Sequence, residues 1–214
     1  MMKKNIILFA VVLALIIGYE ILRRVLTNKQ SDKLMKLFLE GNFKEFDKQI
    51  DSKLTRYLIP PFNQDYMKLN SYLARGDEKK IHEMFSRFDK VRLNAAQKEL
   101  VYTNAFYYYV GLKDENKARK YYNLLMESTS DEDSRKEIDR MFDIYINNGY
   151  KYLEDTEKEY RNADEREKMK LQALLAVMYE NKGDKKKAQE YYDRIAELEQ
   201  KVVEKMQEEA QEND

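Results

Sequence analysis

Residues 6–19, IILFAVVLALIIGY, form one unbroken apolar run, and beyond it the hydrophobic positions are spaced rather than continuous. Taking Asn42, Asp77, Asp114, Tyr150 and Asp184 as reference positions, the residues eight before them are Leu34, Leu69, Phe106, Phe142 and Ala176. Those five before are Leu37, Tyr72, Tyr109, Tyr145 and Tyr179. Four after stand Phe46, Ile81, Ala118, Glu154 and Ala188, and eight after stand Ile50, Phe85, Tyr122, Lys158 and Tyr192. Offsets of four and eight lie on one face of a helix, so each reference marks the junction of two amphipathic helices that close on each other. Only the fourth unit breaks the pattern, at Glu154 and Lys158. There Tyr150, Leu153 and Tyr160 supply a face after a one-residue slip.

The punctuation has the same period. Gly41, Gly76, Gly111, Gly149 and Gly183 recur at near-even spacing in a chain with six glycines. Glycine suits a tight, partly left-handed helix end, and three of the five references are aspartate, a favoured N-cap. A period of this length with this punctuation predicts stacked helical hairpins, none of them stable alone. Loops are expected at residues 59–62 (IPPF) and 128–134 (STSDEDS), where turn and capping chemistry concentrates. Past Glu197 the last helix turns acidic, with a thin stripe of Ile195, Leu198, Val202 and Met206. Such a polar helix is how a solenoid seals its open end. The divisions expected are therefore an anchor and flank over 1–30, a repeat domain over 31–199 and an acidic extension over 200–214.

The clearest internal echo is KARKYYNLL from Lys117 against KAQEYYDRI from Lys187, two periods apart. An aromatic residue ending the first helix, Gly-Asp at the turn (Gly76-Asp77, Gly183-Asp184), then Ala and Tyr in the second helix resemble the tetratricopeptide repeat (TPR) family. The resemblance covers Ser31 to about Glu199. It implies an all-α fold: a right-handed superhelical solenoid of about five TPR-like hairpins, here following an N-terminal transmembrane helix. The chain departs from the family in lacking its helix A tryptophan and its closing proline. It also carries Phe46 and Ile81 where the family has a small residue, which predicts wider first and second hairpins.

The N-terminal run follows Lys3 and Lys4 and covers about 21 Å of a roughly 30 Å hydrocarbon core at 1.5 Å per residue. Extending it through Ile21, Leu22, Val25 and Leu26 makes up the length, with Arg23 and Arg24 snorkelling and Glu20 pairing with Arg24. A signal anchor from Ile6 to Leu26 is the expectation. A cleaved signal peptide fits less well, because no pair of small residues stands at the cleavage positions. Lys3, Lys4 and the terminal amine favour a cytoplasmic start and an extracytoplasmic domain in a single-pass arrangement, although Arg23, Arg24, Lys29, Lys33 and Lys36 count the other way.

Charge narrows the partners. The chain has 39 basic and 39 acidic residues, and setting aside the anchor and its flank leaves 34 against 38, which disfavours nucleic acid as a partner. The absence of cysteine excludes disulfides, thiolate metal sites and a cysteine nucleophile. His82, the single histidine, has no ligands at helical spacing and reads as a packed or surface residue; Asp131, Glu132 and Asp133 read as helix-capping chemistry rather than a calcium loop. No phosphate loop, nucleophile elbow or zinc-protease motif is present. No catalytic residue, cofactor or metal is therefore expected.

Seventeen tyrosines without a tryptophan leave some rings for a surface. Tyr107 beside Tyr109, and the pairs at Tyr121 and Tyr191, put one ring inward and one outward. The TPR resemblance implies more. In that family the first helices line a concave groove, and one subset clamps a partner's C-terminal carboxylates with lysine and asparagine, then asparagine, then lysine and arginine. The matching positions here carry Tyr66 and Asn70, then Asn104, then Lys136 and Arg140, with Tyr107 beside them. Tyr66 replaces the first lysine, and Asp139 and Asp143 adjoin the same face. The functional expectation is a membrane-anchored scaffold that grips a protein or peptide in its groove. The alternative is a self-associating structural component of a cell-envelope complex.

Overall fold

The computed structural model describes the backbone from residue 2 to residue 212 and the side chains of residues 17–198 and 200. Among the described residues the chain is all-α, with eleven helices and no strand. It divides into two compact units, one running to Arg92 and one beginning at Leu93.

The first unit holds α1 (Met2–Leu39), α2 (Phe43–Ile50), α3 (Lys53–Leu58), α4 (Pro61–Arg75) and α5 (Glu78–Phe88). Leu34 and Leu37 of α1 bury against Phe46 and Ile50 of α2 and against Leu58 and Ile59, closing the first hairpin as the register predicts. Each such side chain contributes roughly 1.5–3 kcal/mol on burial. Leu69 of α4 and Ile81, Met84, Phe85 and Phe88 of α5 are likewise buried. Arg75 of α4 forks onto Asp47 of α2 with bonds of 2.9 and 3.1 Å, and so fastens the second hairpin to the first. Helix α3 was not expected from the sequence. Ser52 caps it, accepting from Thr55 N at 3.2 Å, while the buried Gln30 of α1 donates to Thr55 Oγ1 at 2.8 Å. Of the expected loop over 59–62, only Ile59 and Pro60 are extended, and Pro61 opens α4 at a position where its missing N–H costs nothing.

The second unit holds α6 (Ala95–Gly111), α7 (Glu115–Ser128), α8 (Glu132–Tyr145), α9 (Leu153–Asn162), α10 (Glu165–Lys182) and α11 (Lys185–Glu212). Its rings repeat at the period of the sequence echo. Tyr109 stacks on Tyr121 at 5.7 Å with Lys117 over its face at 4.8 Å, and two periods on Tyr179 stacks on Tyr191 at 5.8 Å with Lys187 at 4.6 Å. Residues seven after the reference, Tyr121 and Tyr191, therefore take the inner position in these hairpins. Tyr122 and Tyr192, expected inside at eight after, are half-buried and exposed respectively.

Four junctions are built alike. The N–H groups of Asn42, Asp77, Asp114 and Asp184 donate to the carbonyls of Leu37, Tyr72, Tyr109 and Tyr179 at 2.9 to 3.0 Å. The residues just before them donate to Phe38, Leu73, Val110 and Glu180, completing a Schellman end. Each reference side chain then caps the next helix by accepting from the N–H three residues on. The left-handed slot in these turns is filled by Gly41, Gly76, Lys113 (φ 56°) and Gly183. Gly111 instead ends α6 in helical conformation, so the glycine period runs two residues out of step with the geometry there.

The fourth junction differs. Asn148 (φ 51°), and not Gly149, is left-handed, and α9 starts at Leu153 rather than Tyr150. Tyr150 is exposed; Leu153 and Thr156 are buried and Tyr160 is half-buried, while Glu154 and Lys158 face solvent. The N-cap is thus Tyr152, two residues past the reference rather than one, and seven residues of irregular chain (146–152) come between α8 and α9. The capping expectation at 131–134 holds: Asp131 accepts from Ser134 N at 2.8 Å and starts α8.

Helix α1 is continuous from Met2 to Leu39, but residues 6–16 of the expected anchor lie outside the described side chains. Among the described residues, no helix is long and apolar enough to cross a membrane. Val202 and Met206 of the expected terminal stripe also lie outside the described side chains, whereas Ile195 and Leu198 are half-buried.

Candidate functional site

Helix α8 carries the richest polar constellation. Its apolar stripe of Ile138 and Phe142 faces the core, which turns Lys136 and Arg140, one turn apart, toward the opposite side. Helix α9 presents Asp155 and Glu159 at the same spacing. Arg140 Nη1 meets Glu159 at 2.6 Å and Lys136 Nζ meets Asp155 at 3.6 Å. Arg140 Nε also donates to Glu137 at 3.0 Å, so the guanidinium is held by two carboxylates on a side chain only 13 % exposed. Burial opposes its charge, but the Glu159 and Glu137 carboxylates outweigh that and hold it above the ordinary arginine range.

A second cluster centres on Asp139. It accepts from Tyr122 of α7 at 2.6 Å, from Lys151 Nζ at 2.6 Å and from the Tyr152 hydroxyl. Tyr122 also stacks on Phe142 at 4.2 Å. Burial, followed by the bond to Asp139, pushes the Tyr122 phenol up to about 12. Burial works against the Asp139 charge, yet its three donors keep the carboxyl below its usual range. Asp143 accepts from Lys151 N at 3.2 Å, and Asn181 of α10 donates to the carbonyls of Ile144 and Gly149, both at 2.9 Å. These polar bonds reinforce the irregular fourth junction, where Ile144 of α8 and Leu153 of α9 share a buried apolar cluster with Leu174, Leu175 and Met178 of α10.

Beside Arg140 opens a cleft of about 510 Å³, walled by Glu137, Glu159 and Glu167 against Arg140 and Lys170 and floored by Leu171 and Leu174. Tyr107 of α6 belongs to the same face. Burial first, then the Glu137 charge with Arg140 opposing, pushes its phenol above the ordinary range.

Of the residues expected in a groove, Tyr107 and Arg140 are thus brought together, with Lys136 one turn away and Asn104 half-buried on α6. Tyr66 and Asn70 sit on α4 in the first unit, Tyr66 stacked on Phe62 at 5.8 Å. The cations expected to meet a terminal carboxylate already bridge α8 to α9. Sequence reasoning missed Glu137, Asp155, Glu159 and Asn181. The signal available was the matched four-residue spacing of Lys136/Arg140 and Asp155/Glu159, beside Glu154 and Lys158 where core residues were expected. His82 is half-buried on α5, and no group of three His, Cys, Asp or Glu suited to a metal occurs among the described residues.

No protein-family model, no curated protein and no solved structure matches the chain. Its class rests on its own geometry: an all-α protein in which the same helix-to-helix turn recurs four times.

Proposed function

We propose that this chain is a membrane-anchored, TPR-like scaffold that holds a protein partner at the bilayer. Residues 6–26 serve as the single-pass anchor, and the hairpins form a right-handed solenoid on the extracytoplasmic side. The observation that carries the reading is the fourfold turn: a left-handed helix end and an aspartate or asparagine cap, joined to stacked tyrosine pairs that recur two periods apart. Proteins built from such repeats use extended surfaces to bind other chains. Tethering raises the partner's local concentration with no new contact.

The face carrying Tyr107 and Arg140 is the part of the binding surface that α6, α8 and α10 contribute. Three carboxylates against two cations, over a leucine floor, suit an apolar peptide segment bearing a basic residue. A terminal carboxylate could enter only by displacing Glu137 or Glu159 from Arg140.

The deciding experiment is in-cell cross-linking of the C-terminally tagged protein, beside a version lacking residues 1–27, read by mass spectrometry. A distinct partner captured only with the anchor present is the expected result. Recovery of self-adducts alone would replace this reading with that of a self-assembling envelope component.

A further inference from the structure

We infer that helix α3 is a second membrane contact, lying in the interfacial layer of an anionic bilayer beside the exit of α1; this rests on the anchor reading above. Helix α3 is tied to α1 at three levels. Gln30 bonds Thr55, Thr27 Oγ1 reaches the Leu58 carbonyl at 3.5 Å, and the Tyr57 hydroxyl is hydrogen-bonded to that of Tyr19. The C-terminal end of α3 therefore points toward the apolar start of α1.

What α3 turns outward is unusual for a surface helix of a water-soluble domain. Leu54 is 52 % exposed and Tyr57 62 %, in a six-residue helix whose other exposed side chains are Lys53 and Arg56. On α1, Ile21, Leu22 and Val25 are exposed as well, in one helix with the apolar run of residues 6–19. Scattered exposed leucines need no explanation, but Leu54 and Tyr57 stand side by side with Lys53 and Arg56 on one short helix tied to α1.

Length and charge select the occupant. Tyr19 and Tyr57 meet at one level, the position aromatic rings take at a membrane interface. The run up to that level spans only about 21 Å, short of a roughly 30 Å hydrocarbon core. The exposed apolar face between Tyr19 and Leu26 makes up the difference only if the lipid surface rises along α1, and α3 rises with it. Lys53 and Arg56 match anionic lipid headgroups; Arg23 and Arg24 line a cleft of about 460 Å³ between the helices together with Glu20, which pairs with Arg23 at 3.8 Å rather than with Arg24. An apolar face buried at the headgroup boundary beneath a cationic rim is how interfacial helices bind. Two points of attachment then fix the tilt of the first unit against the membrane.

The chain has no tryptophan, so Tyr57→Trp in the full-length protein supplies a sole reporter. The protein is reconstituted into phosphatidylcholine and phosphatidylglycerol vesicles whose acyl chains carry bromine, with Leu39→Trp at the far end of α1 as the comparison. The expected result is blue-shifted emission from Tyr57→Trp, lost mostly to bromine quenching, while Leu39→Trp stays unquenched. Lys53→Glu with Arg56→Glu should weaken the quenching. A chain that floats with the vesicles but leaves Tyr57→Trp unquenched overturns this inference and spares the anchor. A chain that stays in the aqueous fraction overturns both. Should Tyr57→Trp disturb the fold by circular dichroism, Leu54→Trp takes its place as reporter, and quenching or its absence there decides the matter in the same way.

Discussion

The four regular junctions and the one between α8 and α9 solve the same problem with different materials. At Asn42, Asp77, Asp114 and Asp184 the chain reverses through a fixed pattern of backbone bonds, and apolar side chains do the closing. Between α8 and α9 the helices stand apart by seven residues; Ile144 and Leu153 are buried against α10, and Asp143, Asn181 and the Arg140 pairs add polar bonds across the gap. An apolar register tolerates polar variation around it, since burial is non-directional. A polar junction depends on particular atoms at particular distances. The contrast teaches that conformity to a repeat and dependence on single residues trade places along one chain.

The sharpest test compares a buried ring with a bridge. Phe106 is fully buried in α6, and Phe106→Ala should lower unfolding free energy by about 3–5 kcal/mol in urea titration. A loss under about 1 kcal/mol would mean that the apolar register is not what closes the regular hairpins.

The fourth junction has its own steric signature. A Cβ on Gly149 would stand 2.3 to 2.4 Å from the Asp143 carboxyl group, which must swing away from Lys151 N. Gly149→Ala should therefore cost about 1–3 kcal/mol. Because both effects act through Asp143, the double variant with Asp143→Ala should cost clearly less than the sum of the singles. Strict additivity would show that the close approach is not what Gly149 provides.

Arg140→Ala separates the bridging role from a general loss of stability. Removing the guanidinium leaves Glu137 and Glu159 facing each other and should cost about 1–2 kcal/mol. Hydrogen exchange should quicken in α9 and change little in α6 and α7. Uniform acceleration over the second unit would mean that Arg140 supports the core rather than the junction.

The sequence made some of this legible and hid the rest for physical reasons. The positions eight before each reference, Leu34 to Ala176, are all buried, because a helix face has a period that can be counted. The turns were legible through their caps more than their glycines. Lys113 takes a left-handed conformation that the backbone bonds of the turn impose, and no local residue preference announces it. Helix α3 escaped because six residues carry too little periodicity, and what holds it, Gln30 and Thr27, lies at least 25 positions away. The partners of Lys136 and Arg140 were hidden for a related reason. Spacing shows that two cations share a face, but not that two carboxylates from another helix already occupy them.

Lys113 offers a smaller test of the same contrast. Three regular turns have glycine in the left-handed slot and the third does not, so that turn bears a strain the others avoid. Lys113→Gly should raise stability by about 0.5–1 kcal/mol, seen as a higher Tm. Gly76→Lys, at a site with open space but φ of 65°, should lower it by a similar amount. If both variants are neutral, the shared turn geometry is not strained by a side chain, and the glycine period reflects something other than conformation.

The smallest effect is electrostatic and belongs to the polar side of the comparison. Burial and the bond to Asp139 favour a protonated Tyr122, so the phenol's ionisation rises from its ordinary value of about 10 to about 12. Its pKa is raised on folding, so the stability it contributes is whole below pH ~10 and is lost as pH rises through about 12. Asp139 has the opposite sign. Its folded value is depressed, so its contribution is present above the ordinary carboxyl value near ~3.9 and disappears as pH falls through the lowered one. With seventeen tyrosines the phenolate band must be read by difference, parent minus Tyr122→Phe. That difference should titrate near pH 12 in the parent background and at a lower pH, still above the ordinary ~10 because burial remains, when Asp139→Asn is present in both. A difference that already titrates near ~10 in the parent would mean that Asp139 does not hold Tyr122 in solution. The polar share of the fourth junction would then rest on Asp143, Asn181 and Arg140, beside the apolar contacts of Ile144 and Leu153.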